Sequence, residues 1–235
     1  MPEKEKKMRI ALLDLDGTLC EGSSTTPLLQ ELIDVPGVRQ DYLEAALRAA
    51  NRDESKGPSK LRGGVYANYP RAVQGLAQSA VRDAARRAWP RMESMLLPYA
   101  HEVVEMLYAH SYEPILVTGC IREMADLVAD YLGIGQCFAA DLDVRSGYLT
   151  SDLAHAPARA GQKQEFVLRL VEDRPEIDLG ASIAMGNGVR DAEMMELVGF
   201  PVVFEPEQDL ADLCGVRGWP VVDRLTAVDY FKGIL

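Results

Sequence analysis

Four short segments of this chain are built around unbroken apolar runs: RIALLDL (9–15), EPILVTG (113–119), ASIAMG (181–186) and PVVFEP (201–206). A strand with one wet face would alternate polar and apolar residues. Continuous runs instead fit strands buried on both faces. Between them lie segments with helical spacing. AHEVVEMLYAH sets Val103, Val104, Leu107 and Tyr108 along one face, and EFVLRLVED and AEMMELVG repeat the period. Strands alternating with helices predict an α/β fold, a doubly wound and mostly parallel sheet.

The alternation stops between about Cys20 and Pro90. Helical segments PLLQELID, DYLEAALRAANR and AVQGLAQSAVRDAARRAW follow one another there without a buried strand. DESKGPSKLRGG, rich in Gly, Ser and charge, reads as a connecting loop. The expected organisation is an α/β core of residues 1–19 and 91–235, with a smaller helical domain over 20–90 that is long enough to form a lid. LDVRSGYLTSDL predicts a hairpin at the sheet margin, turning at Ser146-Gly147.

Charge removes several function classes. The 36 acidic residues outnumber 25 Lys and Arg, giving a net charge of -11. That balance argues against broad binding to nucleic acid or anionic membrane. No apolar run is long enough for a bilayer span, and MPEKEKK lacks the apolar region of a signal peptide, so a cytoplasmic protein is expected. Cys20, Cys120, Cys137 and Cys214 are scattered without metal spacing and read as free thiols, and His101, His110 and His155 form no cluster.

Against that background the end of the first apolar run stands out, because Asp14 and Asp16 are one residue apart and Gly17-Thr18 follows at once. In an extended backbone the two side chains leave from the same face. Crowded carboxylates repel unless a cation joins them, and a hard ion such as Mg2+ suits oxygen ligands. The alternative is structural: one Asp opens a turn and the other caps a helix, with Thr18 helping.

Three further segments place polar groups where a doubly wound sheet binds ligands, beyond the carboxyl ends of its strands. Thr118 and Gly119 follow the second apolar run, and a hydroxyl with an exposed N–H there could hold a phosphate oxygen. Lys163 sits in the expected first turn of a helix, where a cation is disfavoured unless an anion offsets the dipole. AMGNGVRDAEMM runs from a strand into a glycine-flanked loop with Asn187 and Asp191. Taken singly, these read equally as a turn, a solvated lysine and a helix cap.

Taken in order, DLDGT (14–18), VTG (117–119), Lys163 and GNGVRD (186–191) resemble the four motifs of the haloacid-dehalogenase-like superfamily, whose members are mostly phosphatases. The helical insertion after the first motif and the ending RGWPVVD (217–223) are similar to the phosphoserine-phosphatase-like branch. The resemblance implies a Rossmann-like core with a helical cap, and hydrolysis of a small phosphorylated metabolite through an aspartyl-phosphate. Asp14 would be the nucleophile and Asp16 the general acid and base. Thr118, Gly119 and Lys163 would bind phosphate. Asp14, Asp16, Asn187 and Asp191 would surround magnesium. An aspartate at position 16 favours phosphate chemistry over dehalogenation, which needs neither that acid nor a metal.

The sequence departs from the pattern in two places. Asn187 stands where this motif usually has Asp; it keeps an oxygen ligand but loses a negative charge, which should weaken metal binding. A weakly active or non-catalytic binding protein is one alternative this leaves open, and a phosphotransferase is another. The glutamate that meets the substrate amino group in phosphoserine phosphatases is replaced by Ser23, with Glu21 nearby. Arg62, Tyr66, Asn68, Tyr69 and Arg71 of the insertion are candidates to face the substrate.

Overall fold

The computed structural model describes residues 7–50 and 58–235, with backbone alone for 58–63. Strands β1 (Arg9–Leu13), β2 (Tyr112–Ile121), β3 (Gln136–Arg145), β4 (Tyr148–His155), β5 (Ile183–Gly186), β6 (Phe200–Phe204) and β7 (Val221–Val222) form one sheet in the order β4-β3-β2-β1-β5-β6-β7. The pairings are parallel except for the β3–β4 hairpin at one edge. Its turn passes through Ser146 and Gly147, both with positive φ.

The apolar runs are continuous because each strand feeds two cores. Along β1, Ile10 and Leu12 join a cluster with Val167, Leu170, Met194 and Leu210. Ala11 and Leu13 point the other way, into a cluster with Leu28, Leu43, Val104, Met124 and Phe231. The same period of two divides Ala184 from Ile183 and Met185 in β5, and Val203 from Val202 and Phe204 in β6.

Between β1 and β2 come α1 (Thr25–Glu31), α2 (Gln40–Ala50), α3 (Pro58–Val73), α4 (Gln78–Glu93) and α5 (Tyr99–Ala109). The later helices are α6 (Arg122–Leu132), α7 (Gln162–Asp173), α8 (Ala192–Met195), α9 (Gln208–Arg217) and α10 (Ala227–Ile234). Leu28, Leu43, Val73 and Val81 of the helical insertion share one apolar cluster with Leu13 and Leu116 of the sheet. The connection between α3 and α4 is also tied to β4, since Gly75 N–H donates to Leu149 C=O, Leu149 N–H to Leu76 C=O, and Gln78 N–H to Gly147 C=O, each at 2.9 Å.

Several local readings need correction. The loop expected over 53–64 gives way at Pro58 to α3; proline suits a first helical position, where its missing N–H has no intrahelical partner to lose. The stretch 72–89 is not one helix. Gly75 at φ +85 separates α3 from α4, which runs from Gln78 to Glu93. The hairpin's first strand starts at Gln136 and is a full member of the sheet. AEMMELVG forms only a four-residue helix, α8. Among the described residues, no helix is long and apolar enough to cross a membrane.

Candidate active site

Strand register brings three of the four motifs to one end of the sheet. Leu13 of β1 is level with Leu116 of β2 and Met185 of β5. One residue further on lie Asp14, Val117 and Gly186, and beyond those Thr118 and Asn187. The chain leaves β1 toward β2 on one side and β5 on the other, so this is where strand order reverses and ligands of such sheets are bound. Asp14 N–H still donates to Met185 C=O at 2.9 Å, which fixes its backbone although β1 ends at Leu13. The β2–β3 register shifts between Val117 and Ile121, the stretch that carries Thr118 and Gly119.

Lys163, the third motif, reaches the same place from the first turn of α7, and its side chain has no exposed surface. Its ammonium donates to Asp14 Oδ1 at 2.6 Å, Asp191 Oδ1 at 2.5 Å and Val117 C=O at 2.8 Å, using its three hydrogens. Burial pulls this ammonium toward neutrality, but the two carboxylates outweigh burial and hold it above the ordinary lysine value. The surface reading of Lys163 is thereby replaced by a buried ion triad.

Asp191 does not cap its own helix. It precedes α8 without a side-chain cap bond, and its Oδ2 turns back to accept from Asn187 N–H at 3.0 Å and Gly188 N–H at 2.8 Å. Both of its oxygens are therefore engaged within the protein. Gly186 makes that fold-back possible, because a Cβ there would lie 2.4 Å from Asp191 Cβ. Thr18 donates to Asp14 Oδ2 at 3.2 Å, and Tyr99 of α5 donates to the Thr18 carbonyl. Thr118 Oγ1 accepts from Cys120 N–H at 3.0 Å, which leaves the hydroxyl hydrogen to donate elsewhere.

Asp16 has its own partners: its Oδ1 accepts from Ser24 N–H at 2.9 Å and from the Ser24 hydroxyl. Ser24 immediately precedes α1, so the helical insertion begins by holding this carboxylate. Sequence reading missed Ser24 and Tyr99; the cap-rich stretch GSSTTP marks the first only as a helix start, and nothing local marks the second.

The donors at this strand end suit a hard cation. Asn187 is 8% exposed, and its Oδ1 is buried without a hydrogen-bond partner. Its amide lies against Gly17, where a Cβ would come within 3.2 Å of that oxygen and 2.2 Å of Nδ2. An unsatisfied buried oxygen is costly in itself and is what a magnesium site requires. Asp14, Asp16 and Asn187 therefore fit the ion. Among the described residues, no three His, Cys, Asp or Glu side chains form a ligand group. Gly17 also sits at φ +77, so Gly17→Ala both strains the backbone and displaces Asn187. The expected cost is about 1–3 kcal/mol, a fall in melting temperature of about 2–12 °C by circular dichroism.

The insertion residues separate into distinct environments. Tyr66 of α3 reaches the second motif: its hydroxyl donates to Gly119 C=O at 3.1 Å and accepts from Ala158 N–H at 3.2 Å. Tyr69 is buried in the main apolar cluster, with its hydroxyl lacking a hydrogen-bond partner. Asn68 donates to Gly64 C=O, and Arg71 lies over the Tyr42 ring. The Arg62 side chain lies outside the described residues. Glu21 is exposed and paired with Arg224 at 2.7 Å. Cys20 and Cys120 are buried and burial pushes both thiols up, so neither has the exposed thiolate that oxidation requires.

Comparison with known proteins points to one family. A family model described as haloacid dehalogenase-like hydrolase matches residues 11–196. A phosphoserine phosphatase of Methanocaldococcus jannaschii is 25% identical over 213 residues, covering 89% of this chain and 93% of that one. Another, of Archaeoglobus fulgidus, is 24% identical over 208 residues, covering 88% of this chain but only 56% of its relative. A substrate-bound phosphoserine phosphatase structure superposes with a TM-score of 0.62 at 21% identity, covering 88% of this chain and 90% of that one, which shows a shared fold.

Proposed function

The chain belongs to the haloacid dehalogenase-like hydrolases, and from that membership we propose that it is a magnesium-dependent phosphatase acting on a small phosphomonoester through an aspartyl-phosphate. The observation that carries this reading is the Lys163 ammonium, buried between Asp14 and Asp191 at the open end of β1 and β5. A cation fixed there without solvent attracts a phosphoryl group and offsets the carboxylates it must approach.

Asp14 attacks phosphorus, forming the Asp14–phosphate bond as the bond to the leaving oxygen breaks. Asp16 protonates that oxygen, then takes a proton from the water that hydrolyses the intermediate. Its bonds to Ser24 would aim the carboxyl group during both steps. The Thr118 hydroxyl and the Gly119 backbone N–H bind the transferring phosphoryl oxygens, and Lys163 exchanges its bond to Asp14 for one to a phosphoryl oxygen. Asp191 positions Lys163 and the Asn187 loop, while Asp14, Asn187 and the Asp16 carbonyl would hold magnesium. When bound, that ion would neutralise charge developing on the phosphoryl oxygens.

Residues 20–90 act in this reading as the cap, with Tyr66 as its contact to the second motif. Tyr66 is proposed to shape the substrate side; Tyr69, buried in the main apolar cluster, instead packs the cap against the core. The matched relatives are named for phosphoserine. Here Ser23 replaces the glutamate expected to meet that substrate's amino group, and Glu21 is held by Arg224. A small phosphorylated metabolite is accordingly proposed without the amino acid. The enzyme would work in the cytoplasm, where its four free thiols stay reduced.

Phosphate release from a panel of phosphomonoesters, phosphoserine included, tests the reading. Turnover is expected with magnesium and should fall to background with chelator, returning when magnesium is added back. Equal rates in chelator would overturn the metal dependence, and silence across the panel would overturn the phosphatase reading.

A further inference from the structure

Tyr66 of the helical insertion sits where three segments of the chain meet. Val117 is level with Phe138 and Ile121 with Ala140, so β2 takes four steps where β3 takes two, and the residues between arch out of the β3 register. There the Gly119 carbonyl accepts from the Tyr66 hydroxyl at 3.1 Å, and that hydroxyl accepts in turn from Ala158 N–H at 3.2 Å. The Tyr66 side chain is buried and clusters with Ala140 and Ala156. A Cβ on Gly119 would come within 3.3 Å of the hydroxyl and 2.9 Å of Ala158 Cβ, so this close approach depends on glycine.

The Gly119–Cys120 peptide is planar, so a bond to its carbonyl also sets the direction of its N–H. That Cys120 N–H donates to Thr118 Oγ1 at 3.0 Å. An N–H can only donate and a carbonyl can only accept, which fixes the direction of every step. The donors run from Ala158 N–H to the Tyr66 hydroxyl, through the Gly119–Cys120 peptide to Thr118 Oγ1, and the Thr118 hydroxyl hydrogen is the last of them. Donors aligned head to tail polarise one another, so an anion accepting at the end gains from each bond behind it. On the phosphatase reading above, in which Thr118 binds a phosphoryl oxygen, we infer that Tyr66 is a positioning residue that orients and polarises the Thr118 hydroxyl through this peptide. The cap thereby completes the phosphate-binding arm of the core. Ala158 ties the same hydroxyl to the loop that enters α7 and carries Lys163.

Inorganic phosphate has no leaving group to touch the cap, so its affinity separates this role from direct contact with substrate. Calorimetric titration of phosphate into the full chain, with magnesium present, tests it in wild type, Tyr66→Phe, Thr118→Val and the double variant. Tyr66→Phe keeps the ring and should weaken the dissociation constant about three- to tenfold, the scale of one hydrogen bond. In the Thr118→Val background, where the last donor is gone, the same change should cost less than about twofold. Amide exchange gives a second readout, since Cys120 N–H should lose about threefold or more of its protection in Tyr66→Phe. Wild-type phosphate affinity or unchanged Cys120 protection in Tyr66→Phe, or an equal loss of affinity in both backgrounds, would overturn the inference and leave the phosphatase reading standing. No phosphate binding by wild type would overturn the phosphate site and this inference with it. Should Tyr66→Phe fail to fold, wild type alone decides: saturating phosphate should slow exchange at Ala158 N–H, the far end of the donor series, and unchanged exchange there rejects the coupling.

Discussion

Lys163→Met is expected to lower stability by about 3–5 kcal/mol and to abolish turnover, because it removes the cation shared by two buried carboxylates and leaves both in place. Asp14 and Lys163 have no exposed surface and Asp191 almost none, so water cannot take over the lost role. Replacing a whole buried ion pair with apolar residues can be harmless, but here only the cationic member goes. For a chain of 235 residues the loss corresponds to a fall in melting temperature of about 6–20 °C.

The pH dependence should reverse between the two proteins. In wild type the folded-state value of Lys163 is raised above the ordinary 10.5. Its contribution is therefore fully present below 10.5 and is lost as pH rises through the folded value. In Lys163→Met the stranded carboxylates favour protonation in the folded state, so the deficit relative to wild type should shrink as pH falls. Thermal melts of both proteins from acid to alkaline pH measure this. A deficit that is constant with pH would mean that the triad's charge does not carry the effect.

Asp14→Asn should reduce phosphate release by at least about 10⁴-fold while leaving the fold intact. The amide matches the carboxylate in volume and keeps an oxygen to accept from Lys163 or Thr18, which both bond to Asp14 in the native protein. Lys163 also retains Asp191 and Val117 C=O, so the cost in stability should be far below that of Lys163→Met. Mass spectrometry of protein quenched during turnover provides a second readout: wild type should carry a phosphoryl group, and the variant none. Wild-type activity in Asp14→Asn would sink the nucleophilic role.

These two residues illustrate what sequence reading can reach. Asp14 was legible because a carboxylate pair followed by Gly-Thr at the end of an apolar run is unusual locally. Lys163 was legible mainly through the family resemblance, since a lysine in a helix's first turn looks like any surface residue until α7 is docked on the sheet. Asp191 was read as a possible cap or metal neighbour; its engagement with Lys163 and the Asn187 loop depends on Gly186 having no Cβ. Ser24 left only the signal of a helix start and Tyr99 none, because each acts on a partner at another place in the chain.

The α/β alternation, the helical insertion and the motif positions follow from local sequence, because burial on two faces and helical periodicity are written in consecutive residues. Which groups meet is a matter of tertiary structure: the single ammonium of Lys163 bonds Asp14, 149 residues before it, and Asp191, 28 residues after it. Parallel strand register sets those encounters. It is fixed by packing and hydrogen bonds between distant segments, whose partners no local pattern specifies.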